Sequence, residues 1–332
     1  MKSKLLKITG SVLIGGLFLW LAFRNVQFAE LWDKISDVTF YWLPLFLIVL
    51  PLSHYLRAER WRLLLVDHGQ KINRTTLFAG VMLGYVVNTF VPRLGEISRP
   101  VYVARKEGIS SGNLIGTIVA ERFFDLLTMF FLIVVISFLL VSDFEILQTV
   151  FGLENWSWKQ YIWIPIVFII IGIGMILFYR FMIFLDQKQI IENPVLIKVI
   201  NAAKSFGEGM ISLRRIKQWP AFLLCTAGIW TGYIFMTYLP FYMMSMQDVY
   251  GLTFSDGIVI TIVSSLGVSV PTPGAVGSYH LFIQQSLHLL YEVPLVEALT
   301  YATVTHAATI ATVLLIGPLS LWWDKYYTLK NA

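Results

Sequence analysis

Six stretches of this chain are apolar for long enough to cross a bilayer: about 5–23, 40–56, 112–141, 160–181, 219–246 and 298–323. A bilayer core offers no water to backbone N–H and C=O groups, so such stretches fold as α-helices that satisfy those groups internally. The predicted class is therefore an all-α polytopic membrane protein. Two further stretches, 75–110 and 254–290, are apolar in part but broken by proline and glycine. Composition agrees, with 57% of the 332 residues hydrophobic and 14% charged, where soluble domains carry roughly 25% charged residues. Trp20, Trp42, Trp163, Trp219, Trp322 and Trp323 all fall at predicted helix ends, where amphipathic rings suit the membrane–water interface.

Loop charges orient the chain, because cytoplasmic loops collect Lys and Arg. The N-terminus (Lys2, Lys4, Lys7), segment 57–74 (Arg57, Arg60, Arg62, Lys71, Arg74), region 180–218 and the tail with Lys325 and Lys330 are basic and are placed inside. Loops 24–39, 142–159 and 247–256 are acidic on balance and are placed outside. The start resembles a signal peptide but lacks a small-residue cleavage site, so it is read as a retained first helix. Both termini are thus expected in the cytoplasm, with the chain multi-pass in the cytoplasmic (inner) membrane. The net charge of +5 is spread over separate loops, which leaves no nucleic-acid footprint.

Counting crossings, 75–110 must enter and leave by the inner face, and 254–290 by the outer. Both are predicted as re-entrant hairpins. Each half then runs helix, helix, hairpin, helix, over about 5–141 and 160–323. Three crossings per half give the halves opposite orientation, the inverted-repeat plan of many transporters. The competing reading is eight plain spanning helices. The whole of 1–332 is expected to be one membrane domain, with a cytoplasmic connector over about 182–218, either an amphipathic surface helix or a solvated link.

Charges at or near membrane depth mark the candidate site, since ionisable groups persist there mainly where they line a cavity or pair. Arg93, Glu96 and Arg99 follow the first broken run, and Glu121, Arg122 and Asp125 open the third span. On a helix Glu121 and Asp125 share a face, with Arg122 about 100° round. Two carboxylates so placed repel, Arg122 neutralises one, and Arg93 or Arg99 is expected to supply the second cation. The six form either a packing network or an anion site in which arginines hold phosphate by bidentate bonds. Asn88 and Tyr85 are polar candidates on the same hairpin. His54 is read as interfacial.

The second hairpin reads S-S-L-G-V-S-V-P-T-P-G-A-V-G-S-Y-H. Pro271 and Pro273 forbid continuous helix, while Gly267, Gly274 and Gly277 permit close packing. His280 follows the turn and His306 lies in the last helix. Cys225 stands alone, so no disulfide framework is expected. No His/Cys/Asp/Glu grouping has metal spacing, and no cofactor is expected.

The string G-E-I-S-R-P-V-Y followed by A-E-R-F-F-D resembles the R-x-G-E-x-x-R … E-R-x-x-D signature of the membrane domain of lysylphosphatidylglycerol synthases, a family that includes stand-alone flippase-like proteins. V-P-T-P-G-A-V-G is similar to its P-x-P-G-G-x-G motif. The resemblance covers nearly the whole chain. It implies site roles for Arg93, Glu96, Arg99, Glu121, Arg122 and Asp125, and for Pro271, Pro273, Gly274 and Gly277. Many relatives carry Glu at the position of His280 and Arg at that of His306, so the resemblance implies a different, pH-sensitive pairing here. Ala275 stands where a second Gly is usual. No loop is long enough for the synthase domain, the longest being 180–218, so aminoacyl transfer is not expected.

The leading expectation is a transporter or flippase for an anionic lipid, either a phospholipid or a polyprenyl-phosphate carrier. No G-x-x-x-x-G-K-[ST] string is present, so movement is expected to be downhill or ion-coupled. A membrane transferase acting on a lipid-linked sugar, with Glu96, Glu121 or Asp125 as base, is the second reading. A non-catalytic partner in envelope-lipid synthesis is the third. The expected partner is the membrane lipid, with a second copy of the chain or an envelope-synthesis enzyme as further candidates.

Overall fold

The computed structural model describes residues 2–65, 72–108, 111–139 and 216–331, with 174, 177, 180, 181 and 184. The expected span 160–181, the loop 142–159 and the connector 182–218 fall largely outside the described residues. Among the described residues the regular structure is entirely helical. The elements are α1 (Lys2–Phe23), α2 (Phe28–Ser36), α3 (Leu43–Leu64), α4 (Arg74–Phe90), α5 (Gly95–Glu107), α6 (Ser111–Leu139), α7 (Trp219–Met243), α8 (Met246–Tyr250), α9 (Phe254–Ser269), α10 (Ser278–Tyr291) and α11 (Leu295–Asn331). A 3₁₀ turn, Phe40–Trp42, leads into α3.

Three described helices are long and apolar enough to cross a membrane: Phe40–Leu64, Trp219–Met243 and Leu295–Thr328. Thr9–Phe23 and Phe28–Ser36 qualify as a pair bent by 81°. Loop charges predict a loop over 24–39, yet α2 is helical because Leu31 and Ile35 form an apolar edge that packs on Leu299 and Leu295 of α11. Large apolar side chains such as Leu13, Ile48, Phe131, Leu315 and Trp322 stay exposed, as suits surfaces that meet lipid rather than water.

The two broken stretches form helical hairpins. In the first, α4 and α5 are 17 and 13 residues long, or about 25 and 20 Å at 1.5 Å per residue. Each is shorter than the roughly 30 Å core. Asn73 caps α4 by accepting from the Thr75 N–H at 3.0 Å, and Gly108 in the left-handed region closes α5. Gly80 and Gly84, one turn apart on α4, let α5 lie so close that its Val103 and Arg99 touch them. Gly95 is the tightest point, because a Cβ there would sit 2.0 Å from the Gly84 carbonyl oxygen. Asn88 closes this elbow, its Oδ1 accepting from the Gly95 N–H at 2.6 Å.

In the second hairpin, α9 begins with a capping box between Thr253 and Asp256. It stops before Pro271 and Pro273, which have no N–H to continue it. Gly267 packs against Ser278, Tyr279 and Phe282 of α10. The elbow meets two other elements. A Cβ on Gly277 (φ +86°) would lie 2.3 Å from the Gly15 carbonyl of α1, and one on Gly274 would lie 3.2 Å from the Thr89 carbonyl of α4. The two elbows therefore touch each other. Each hairpin also has its own apolar cluster, Trp61, Leu77, Val103, Leu114 and Phe222 around the first, and Phe241, Ile260, Ile283, Leu287 and Tyr301 around the second.

Candidate functional site

Helix α3 continues without a glycine or a new proline from Tyr55 to Leu64, two turns beyond the apolar run that marks it in the sequence. Ser53, His54, Arg57, Arg60, Trp61 and Leu64 fall at helical spacing and are all buried. Arg57 and Arg60 are thus not in a cytoplasmic loop, as loop-charge reading has them. Carboxylates from α6 meet them. The Arg57 guanidinium donates to Glu121, and to Asp125 Oδ2 at 3.1 Å. Arg60 donates to Asp125 Oδ1 at 2.6 Å and lies 3.5 Å from Glu121.

Arg99 of α5 closes the network from the other side, donating through both terminal nitrogens to the two Glu121 oxygens at 3.3 and 3.0 Å. Its guanidinium lies 4.0 Å over the Trp61 ring, whose indole N–H donates to Thr117 at 2.8 Å. Tyr233 of α7 accepts from Arg57 at 3.0 Å. One carboxylate, Glu121, is 1% exposed and ties three helices together. Removing one member of such a buried ionic set costs about 3–5 kcal/mol, because its partners stay charged and unpaired.

Of the six charges singled out in the sequence, five come together and one does not. Arg122 lies 3.5 Å from Glu96 and 3.7 Å from Asp125 and is half exposed. Arg93 takes no part. It sits in the first elbow with φ +61°, is exposed, and donates to the Ser269 carbonyl of the second hairpin at 3.3 Å. The backbone turn directs it across to the other elbow and away from the carboxylates. Arg57 and Arg60 fill the place expected of it.

His54 is also corrected. It is buried and stacks on Tyr85 with centroids 4.0 Å apart, inside the protein and beside Arg57. Both its ring nitrogens, and the Nε atoms of Arg57, Arg60 and Arg99, are buried without a hydrogen-bond partner among the described residues. Three buried guanidiniums face one buried carboxylate, Glu121, and one partly buried, Asp125, so one positive charge is unmatched among the described residues. The Arg122–Glu96 pair adds one of each sign. Arg57, Tyr85, Asn88, Glu96, Arg99 and Arg122 line a cleft of about 20 Å³, room for about one water.

The second-hairpin residues gather elsewhere. Pro271, Pro273, Gly274 and Gly277 build the elbow, and behind it the rings of His280 and His306 face each other 4.9 Å apart. A further buried carboxylate, Asp324 near the end of α11, escaped sequence reading. It accepts from Thr75, Thr76, Tyr102 and Lys106 at 2.5–3.0 Å, pinning the open end of the first hairpin to the last helix. Among the described residues no group of three His, Cys, Asp or Glu is placed to hold a metal ion.

The description "Lysylphosphatidylglycerol synthase TM region" matches residues 8–317. The chain belongs to that family. Its charged cluster and second-hairpin elbow both fall inside the matched span. No curated protein and no solved structure matches the chain. Family membership makes this a membrane protein and is consistent with a lipid-related role.

Proposed function

We propose that this protein moves an anionic lipid between the leaflets of the inner membrane. The phosphate headgroup would bind at Arg57, Arg99 and Arg122 while the acyl tails stay in the bilayer. One observation carries the reading: a buried network with one cation more than it has carboxylates, opening on a small cleft. An anion is the species that balances it. Guanidiniums suit phosphate because their planar forks donate in pairs. Orphaned N–H donors on Arg57, Arg99 and His54 give a headgroup further places to bind. The water-sized cleft must widen to admit a headgroup, and α5 is the natural moving wall, since it carries Arg99 and Glu96 on a short broken hairpin.

We further infer six spanning helices and two re-entrant hairpins in an inverted repeat, with both termini in the cytoplasm. The shared helix, hairpin, helix order of α3–α6 and of α7, α9–α11, and the contact between the two elbows, support this plan, which in other transporters brings broken elements together near the midplane. The reading assigns no bond-making step to the chain.

Purified protein in proteoliposomes, offered fluorescent phosphatidylglycerol, phosphatidylcholine and a polyprenyl phosphate, tests the proposal. Faster exchange of the anionic lipids with unchanged lipid mass is expected. A new covalent product would favour a transferase, and activity only with an added envelope-synthesis enzyme would favour an assembly partner. Equal rates in protein-free vesicles would reject transport.

A further inference from the structure

His280 and His306 are 7% and 8% exposed, and their rings face each other with centroids 4.9 Å apart at 43°. Nδ1 of His280 and Nε2 of His306 are buried without a hydrogen-bond partner among the described residues. A buried orphaned nitrogen costs free energy, and this pocket contains two on facing imidazoles. The rings are close enough that a proton taken up by one repels a second proton on the other.

We propose that His280 and His306 form a one-proton binding site behind the second elbow, and that its occupancy releases the elbow from α1 and α4. As the coupling step of a lipid transporter, it rests on the function proposed above. The surroundings fit a proton better than a metal or a lipid phosphate. Tyr279 of α10 flanks both rings, at 5.0 and 6.1 Å, with its hydroxyl engaged by Thr305 at 3.0 Å. Phe23 of α1 covers His280.

Charged groups on the neighbouring elements are engaged elsewhere. Arg24, just after α1, lies over Trp20, Arg93 of the first elbow on Ser269, and Asp256 of α9 on Thr253. Lys34 of α2 pairs with Glu297 of α11 at 2.7 Å. Among the described residues no carboxylate on these elements is therefore free to balance an added charge, so protonation favours a looser, wetter elbow.

His306 touches the Gly274 backbone, and Gly274 in turn rests on Thr89 of α4, so the pair is wired to the contact between hairpins. His280 lies in the first turn of the 14-residue α10, where the helix dipole disfavours a cation. The proton therefore resides mainly on His306.

The test uses full-length protein with ¹⁵N-labelled histidine. The five histidines are assigned by single His→Gln variants and titrated by NMR from pH 8 to 3.5. His306 is expected to become imidazolium while His280 stays neutral, and His280→Gln is expected to move the His306 midpoint by about one pH unit or more. Amide exchange over 270–279 should rise on acidification in the wild type and not in His306→Gln. If neither ring takes a proton, if each titrates independently of the other, or if elbow exchange ignores pH, the proposal is overturned. The lipid assay separates the two readings. Lipid movement that is indifferent to a pH gradient overturns coupling and leaves transport standing. A titrating pair with a responsive elbow, in a protein that moves no lipid, upholds the proton site and rejects transport.

Discussion

In the first hairpin α5 buries Arg99 against Glu121, and the helices around it add Arg57, Arg60 and Asp125. In the second, α9 and α10 contain a single carboxylate, Asp256 at the N-terminal cap of α9, and no Lys or Arg. Hydroxyls hold it instead. Thr237 and Thr261 meet at 2.6 Å, Tyr301 donates to the Thr237 carbonyl, and Thr272 meets Ser278 at 3.0 Å. Both hairpins turn through an elbow with left-handed residues, Arg93 in one and Gly274, Ala275 and Gly277 in the other, and both rely on glycine for close approach. The backbone device is shared and the chemistry is not. One hairpin is built to hold charge and the other to pack against its neighbours.

The sharpest way to break this comparison is to remove one charge and one hydroxyl. Glu121→Ala leaves three buried guanidiniums facing one carboxylate and should cost about 3–5 kcal/mol. Thr261→Val should cost no more than about 1–1.5 kcal/mol. Thermal unfolding in detergent reads both, and equal losses would mean that the ionic network is not what holds the first hairpin.

Next in size is Gly277→Ala. The new methyl would collide with the Gly15 carbonyl, and φ is +86°, so a loss of about 1–3 kcal/mol is expected. Cysteine cross-linking between α1 and α10 should fall with it. Ala275→Gly acts the other way. Ala275 holds φ +60°, a conformation that costs about 1–2 kcal/mol for a residue with a Cβ, so glycine should raise the unfolding temperature. No rise would mean that the elbow is relaxed. Arg93→Ala should change stability by less than about 0.5 kcal/mol, the usual range for surface positions. A large loss would return Arg93 to the charged network.

Much of this arrangement is legible in the sequence. Proline and glycine mark both breaks because they alter backbone hydrogen bonding and close approach directly. The i,i+4 carboxylates Glu121 and Asp125 announce a need for cations, and Arg99 meets it. Arg57 and Arg60 were missed because a cation beyond an apolar run reads as a loop charge. The spacing Ser53, Arg57, Arg60, Leu64 on an unbroken helix was the signal available. Arg93 was misassigned because its direction depends on a left-handed backbone angle that no motif encodes. Asp324, hidden at the basic end of the last helix, is explained only by Thr75, Thr76, Tyr102 and Lys106 arriving from distant parts of the chain.

The central claim is that the unmatched positive charge of the first hairpin is a lipid-phosphate site. Arg122 tests it most cleanly, because it lines the cleft and is half exposed, so its loss should leave the fold intact. The measurement is the rise in unfolding temperature on adding short-chain phosphatidylglycerol or phosphatidylcholine to wild type and Arg122→Gln. A ligand that binds only the folded state stabilises it by mass action. Stabilisation of the wild type by the anionic lipid alone, lost in Arg122→Gln, is the expected result. Equal stabilisation by both lipids, or an undiminished response in the variant, would contradict it.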